Sequence, residues 1–569
     1  MRRRVFAALL LTLMPALARA DSVVTLCHTD TQIAPIGVSR NLAWAIAQGG
    51  TIRFNCPGGA TIRITRTHRI LRDTRIEGGG VITLDGGGVN RVGMFWSTDK
   101  RIYLALVGLR LTNGGSTKPS PWRIAGGIVE GEVTLFLSHS FITKSAFPIH
   151  LRAGSVRIER SELSDNTGVA VRAPTVDVVD RSVFASNSIP IASNGGHITI
   201  EHSDILSNRA PIHCSNGELW IRYARVNGNG NSSGTTGGAL YVECAASIAE
   251  SEFAHNTATF GGAIYITGDA RTVSLRAVNL HDNTATFFGG AIYAEFWGKD
   301  LALALRHVSF VDNQARQGGA IEFEGAMGSN RTITGGAVAF VRNRVERYGG
   351  AIHMTNSGMK LSRGIFVANS ARQGGGAIAA FQQGHHTVEL ANSLVVKNLS
   401  DTGGAFRGNA AKFINSTIAD NGAGAVWALP ATVPPPGTGP APTSFPIRFI
   451  NTIVANDFSS PCSMTIASTP YENLGNNLQF PGSSCGAGIA TSYPALGPYY
   501  VPLFFSQAVN GGNLTVCEAA PVARKDVYDV RRPMRTSCAI GAVEGNVSHI
   551  INRKVGREFR AGTYSSGRR

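Results

Sequence analysis

Gly-Gly-Ala followed by an apolar residue recurs along the chain, as GGAL at 237–240, GGAI at 261–264, 289–292, 318–321, 349–352 and 375–378, and GGAF at 403–406. The residue after the Ala is apolar in every copy, so it points into an interior, and strand alternation turns the next residue outward. That outward column reads Tyr241, Tyr265, Tyr293, Glu322, His353, Ala379 and Arg407. Three stacked tyrosines followed by polar side chains form a line of aromatic faces beside hydrogen-bonding groups. Such a line suits the rings and hydroxyls of an extended sugar chain. The same column also suits a sheet that only stabilises its surface through neighbouring tyrosines.

Positioning one residue per repeat in a line requires stacked units. An apolar residue three positions ahead of an Asn recurs twelve times, ending at Asn166, Asn187, Asn208, Asn229, Asn256, Asn283, Asn313, Asn343, Asn369, Asn398, Asn421 and Asn456. Short alternating stretches such as TVSLRAVNL (272–280) lie between, bounded by Gly, Asn and Asp, with no room for an ordinary helix. Intervals of 21 to 35 residues without helices predict an all-β fold, a parallel β-helix with one coil per repeat. The Asn is expected to take the left-handed corner and to stack amide on amide with its neighbours. The Gly pair is expected to make a second corner at positive φ. The Leu spacing of a leucine-rich repeat is absent, and propeller blades run longer, about 40–50 residues.

Eight cysteines stand at 27, 56, 214, 244, 462, 485, 517 and 538. An even number in an exported chain predicts disulfides, and no Cys-x-x-Cys spacing suggests zinc. Many connectivities fit. Stacked local units favour sequence neighbours: Cys27–Cys56, Cys214–Cys244, Cys462–Cys485 and Cys517–Cys538. His385 and His386 are read as corner residues, because adjacent strand residues point to opposite faces. Asp85 in TLDGGG is read as a turn residue. No metal and no cofactor is expected.

Residues 1–20 have the layout of a secretory signal peptide: Arg2 to Arg4, an apolar run from Val5 to Leu13, and Ala18-Arg19-Ala20. No segment has the apolar length to cross a bilayer core of ~30 Å. Residues 21–545 are read as a single domain: an N-terminal cap and first coils over 21–110, repeat coils over 111–456, and a disulfide-stapled C-terminal cap over 457–545. SRNLAWAIAQ (39–48) reads as a short helix plugging the N-terminal end, with Leu42 and Ile46 on one face. The run LPATVPPPGTGPAPTSFP (429–446) reads as a loop leaving its coil, and 546–569 as a basic disordered tail.

Glycine supplies 67 of 569 residues, and only 16% are charged. With 43% hydrophobic residues this excludes a disordered chain, and the absence of a three-residue Gly period excludes collagen. Setting aside four arginines in 1–20 and a net five positive charges in 546–569 leaves +7 of the +16 on the body. Those charges are scattered rather than gathered in a patch, so no nucleic-acid partner is expected.

These residues support a resemblance. The paired FxxN and GGAI motifs resemble the repeat of polymorphic outer membrane proteins. NLAWAIAQGGTIRFNCPGGATIRIT (41–65) with VITLDGGG (81–88) resembles the opening of pectate-lyase-like β-helix proteins. Asp529 and Arg531 before a Pro, then CAIGAVEG (538–545), resemble the end of the choice-of-anchor Q family. Ala539 stands where that family usually has Asp, and Arg532 where it usually has Gly. The resemblance implies a right-handed parallel β-helix on an exported or cell-surface bacterial protein, and implies no activity. The chain lacks the Asn-Thr-Asp, Gly-His-Gly and Arg-Ile-Lys motifs of polygalacturonases and the Asp-Pro-His-Glu of mannuronan epimerases. The leading expectation is therefore a secreted or outer-membrane-surface protein with a structural or adhesive role, binding polysaccharide along the tyrosine column. The alternative is a polysaccharide lyase or glycoside hydrolase whose acids converge from different coils, and a third reading is a passenger module displayed by an unidentified surface anchor or export partner.

Overall fold

Short β-prone stretches punctuated by Gly and Asn leave the chain almost no helix, and strands running parallel to their successors account for most of it. The computed structural model describes residues 21–544 apart from 32–39, 88–92, 116–126, 232–233, 269, 271, 299, 327–328, 383–385, 402–403, 430–445, 457–458, 465–470 and 533–536. The expected leader, the basic tail, nearly all of the Pro-rich loop and His385 lie outside the described residues. Two compact units are present, one ending at Pro174 and one beginning at Thr175. Each is a parallel β-helix.

In the first unit the helix Leu42–Gln48 starts where Asn41 accepts the Trp44 N–H at 2.8 Å, and it buries Leu42, Ala45 and Ile46. The strand Ser22–Val24 pairs with Gly50–Phe54, which pairs with Thr74–Asp85, and the series continues through Phe95–Thr112, Val129–Ser138 and Ile149–Glu159. Asp85 closes a turn, accepting the Gly87 N–H at 2.9 Å. Buried Asp30 receives His68 Nε2 at 2.8 Å and the Thr65 hydroxyl at 2.7 Å. Burial alone would raise the Asp30 carboxyl, but these hydrogen bonds outweigh it and hold the group below the usual carboxylate range.

In the second unit every apolar residue that opens the Asn motif is buried, among them Phe184, Phe253, Phe310, Phe340 and Phe366 at 0% exposure. Phe340 stacks on Phe310 at 4.9 Å and on Phe366 at 4.7 Å, so neighbouring coils share one aromatic pile. Beside it runs an uninterrupted amide ladder. From Asn187 to Asn421 each Nδ2 donates to the next Asn Oδ1 at 2.9–3.0 Å. The same oxygen also accepts the backbone N–H of the preceding ladder residue.

The left-handed corner does not fall on the Asn, as expected from the sequence, but on the residue before it. Ser186, Ser207, Gly228, His255, Asp282, Asp312, Arg342, Ala368, Lys397 and Asp420 hold φ between 52° and 66°. Turning the chain one residue early lets the Asn side chain enter the interior, where its amide is saturated. The ladder offsets the roughly 1 kcal/mol that each non-Gly left-handed residue costs.

The paired glycines have two separate causes. In the six pairs from Gly237–Gly238 to Gly375–Gly376 the first glycine has φ between 63° and 69°. The second stacks on its counterpart: a Cβ on Gly238, Gly262, Gly290, Gly319 or Gly350 would lie 2.0–2.2 Å from the carbonyl oxygen of the equivalent Gly one coil on.

Four disulfides join Cys27 to Cys56, Cys214 to Cys244, Cys462 to Cys485 and Cys517 to Cys538. The C-terminal segment also lies along a flank of the coils. Arg363 Nη1 meets Asp529 at 2.6 Å, Asn392 Nδ2 meets the Val522 carbonyl at 3.2 Å, and the Ala542 N–H meets Thr417 at 2.9 Å. Val527, Tyr528, Val530, Ile540 and Val543 pack there with Ile365, Leu394, Ala419 and Ile453.

Candidate functional site

The strands that follow the Gly pairs of the repeats are Leu240–Ala249, Ile264–Gly268, Ile292–Gly298, Ile321–Glu324, Ile352–Thr355, Ile378–Phe381 and Phe406–Gly408. Their register places Tyr241, Tyr265, Tyr293, Glu322, His353, Ala379 and Arg407 in one row. The row extends to His213 beside Tyr241 and to Trp427 beside Arg407. Tyr265 stacks on Tyr241 at 5.2 Å and meets Tyr293 at 5.4 Å.

The row is not the solvent-facing stripe that alternation suggested. Tyr265 and Tyr293 are each 8% exposed, Glu322 and Ala379 are 0% and His353 is 4%, while Tyr241 and Arg407 are half-buried. The physical reason lies beyond the strand itself. A second parallel sheet begins with Thr257–Phe260 and Thr284–Phe288, and Phe260 and Phe288 pack on Tyr293 at 5.7 and 5.8 Å. Alternation fixes the direction of a side chain but not what stands above it.

Two residues further along the chain the exposure rises: Glu243, Glu295, Glu324, Thr355 and Phe381 are half-buried there, while Thr267 and Asn409 are buried. The signal of these glutamates was present in the sequence, since Glu recurs at the fifth position after Gly-Gly in three of the repeats. Each tyrosine hydroxyl is bound to one of these acids: Tyr241 to Glu243 at 3.2 Å, Tyr265 to Glu295, and Tyr293 to Glu324 at 3.1 Å. Burial first, and the neighbouring carboxylates second, push the Tyr265 and Tyr293 hydroxyls upward, so both remain neutral donors.

Glu322 and His353 form the sealed centre of the row. His353 Nδ1 lies 2.5 Å from Glu322 Oε1, and Gln317 Nε2 lies 3.2 Å from the same oxygen. Burial raises the Glu324 carboxyl to about 7, the Glu322 charge adds to the effect, and the Tyr293 hydrogen bond works against it. A carboxyl at that value exchanges a proton near neutral pH. Arg331, fully buried, lies over the Phe323 ring at 5.4 Å and feels Glu295 and Glu324. Arg407 lies 5.2 Å from the Tyr348 ring centroid and 5.9 Å from that of Trp427.

Buried polar atoms lacking a hydrogen-bond partner concentrate on this wall. Among the described residues, Thr267 Oγ1, Glu322 Oε2, Arg407 Nε and Trp427 Nε1 are such atoms. Each costs about 1–3 kcal/mol as it stands, and native proteins keep such groups mainly where a ligand, proton or ordered water uses them.

Compared with known proteins, the chain matches no protein-family model, no curated protein and no solved structure.

Proposed function

We propose that this is an exported β-helix protein that holds a polysaccharide chain along the Tyr–Glu wall. The observation that carries the reading is the in-register row of tyrosines, each hydroxyl bound to a half-buried carboxylate, with unpartnered buried polar atoms along the same wall. Glu243, Glu295 and Glu324 accept hydrogen bonds from sugar hydroxyls. Sites one strand apart repeat at about 4.8 Å, close to the rise of an extended glycan. The negative charge of the carboxylates favours neutral or amine-bearing sugars over uronates. Export fits the four disulfides and the absence, among the described residues, of a helix long and apolar enough to cross a membrane. The kinship with choice-of-anchor Q and polymorphic outer membrane repeats belongs to the same proposal, as does a place on the outer surface.

A glycan array read with the full chain and with Glu243→Gln plus Glu295→Gln tests it. Binding to neutral or amino glycans that falls at least tenfold in the double variant supports the wall. Unchanged binding removes the wall from the argument.

One observation favours a second reading, a glycoside hydrolase. Burial raises the Glu324 carboxyl to about 7, as suits a general acid, and Glu295 lies on the paired strand just past the Ala294–Phe323 pair. Strand neighbours are about 4.8 Å apart, near the separation of the two carboxyl groups in retaining enzymes. Release of reducing ends from a bound glycan, abolished by Glu324→Gln, would support this reading. Binding without release would leave the protein a binding module.

A further inference from the structure

A different part of the second unit carries chemistry that the wall does not use. We infer that His255, His281 and Asp282 form a binding site for a divalent transition-metal ion of the zinc class, with Glu252 holding His281 in the ligating tautomer.

The donor atoms of the three residues lie within 4.8 Å of one another. Zinc binds imidazole nitrogen and carboxylate oxygen at about 2.0–2.2 Å, which puts tetrahedral donors roughly 3.3 Å apart. His255 is exposed, so its side chain has room to turn toward the other two donors. The backbone beneath is fixed. The strands Glu252–Ala254 and Asn279–His281 pair in parallel, with Ala254 beside His281. His255 and Asp282 are equivalent corner residues of adjacent coils, with φ of 52° and 54°. Each is followed by a ladder residue, and Asn256 bonds Asn283 at 2.9 Å. The His255 N–H also donates to the His281 carbonyl at 3.2 Å.

Glu252 supplies the second line of support. Its Oε1 lies 2.9 Å from His281 Nε2, while Nδ1 of the same ring lies 2.7 Å from Asp282 Oδ2. With Nε2–H donated to Glu252, the Nδ1 lone pair faces Asp282. This is the carboxylate–imidazole–metal arrangement that sets tautomer and ring orientation in metal sites. The ion takes the place of the proton now shared between Nδ1 and Asp282. Two imidazoles and one carboxylate select zinc, nickel or copper over calcium and magnesium, which require oxygen donors. Three protein donors leave a fourth position open.

Calorimetric titration of the full chain with zinc chloride, and separately with calcium chloride, tests the site. One zinc per chain is expected, weakened at least tenfold in His255→Ala and in His281→Gln and unaffected by calcium. Cobalt substitution is expected to give visible absorption bands that the two variants lose. His255 is exposed, so its variant keeps the fold, and circular dichroism confirms this. Zinc affinity unchanged in both variants, no zinc binding at all, or equal binding of calcium would each overturn the inference.

Discussion

Tyr293 donates its hydroxyl to Glu324 Oε2 across 3.1 Å, from one coil to the next, while Glu322 crowds Glu324 from the same strand. The acid is thus held by a neutral donor beside a buried carboxyl. Its value of about 7 lies above the ordinary 4.5. Between those values the folded chain binds more proton at this site than the unfolded chain does, so stability contributed there falls as pH rises. Glu324→Gln removes the ionisation without changing shape. The variant is expected to match the parent near pH 4 and to exceed it above pH 7 by on the order of 2 kcal/mol. Thermal melts of both chains from pH 4 to pH 9 measure this, and coincident melting points at pH 8.5 would place the carboxyl in open water.

The amide ladder predicts a graded series. Asn283 donates to Asn313 Oδ1 and to the Phe253 carbonyl, and it accepts two bonds from Asn256. Asn283→Ala leaves those buried partners unsatisfied at about 1–3 kcal/mol each, a loss of ~3 kcal/mol or more. Asn456 accepts only the Asn421 N–H within the ladder, so Asn456→Ala is expected to cost ~1 kcal/mol. Equal urea midpoints for the two variants would mean that the ladder is not cooperative.

The fold was legible because its signals are local and repeated. Apolar-x-x-Asn marks a corner, Gly-Gly-Ala marks a stacking step, and cysteines pair with their sequence neighbours because coils are local. The Asn corner was displaced by one residue because side-chain type reveals a corner but not which of two adjacent peptides inverts. The wall was half legible. Aligning repeats found the row of Tyr241, Tyr265 and Tyr293, but their burial depends on Phe260 and Phe288 arriving from a second sheet. The metal-binding corner was missed because His255 and His281 are far apart in sequence and meet only through register.

Gly290 and Gly58 separate two reasons for glycine. A Cβ at Gly290 would lie 2.1 Å from the Gly319 carbonyl oxygen and 2.8 Å from Gln314 backbone atoms, so the coils would have to part. At Gly58, with φ of 75°, nothing lies within 4 Å. Gly290→Ala is expected to cost at least ~3 kcal/mol through overpacking, and Gly58→Ala ~1 kcal/mol through left-handed strain. Chemical denaturation of both variants reads the difference, and a smaller loss at Gly290 would contradict the stacked-corner account.

Arg532 and Glu544 anchor the C-terminal flank. Arg532 is 0% exposed and gives Nη1 to Glu544 Oε2 at 3.1 Å and to the Ala539 carbonyl at 3.1 Å, Nη2 to the Gly541 carbonyl at 2.7 Å, and Nε to the Lys525 carbonyl at 3.2 Å. Glu544 in turn accepts the Ala539 N–H, and its own N–H reaches Asp526 at 3.1 Å. Burial pushes the Asp526 carboxyl up and the Arg532 guanidinium down, so each charge depends on the others. Arg532→Met removes the cation and leaves Glu544 and Asp526 buried without it, an expected loss of about 3–5 kcal/mol. Arg532→Met with Glu544→Leu removes both charges and is expected to recover much of that loss, since paired buried charges contribute little net stability over apolar residues. The loss is confined to the flank. Amide exchange should therefore quicken over 508–544 in the single variant while the ladder from Asn187 to Asn369 stays protected. A double variant less stable than the single one, or exchange that quickens equally along the ladder, would show that the pair stabilises more than this segment.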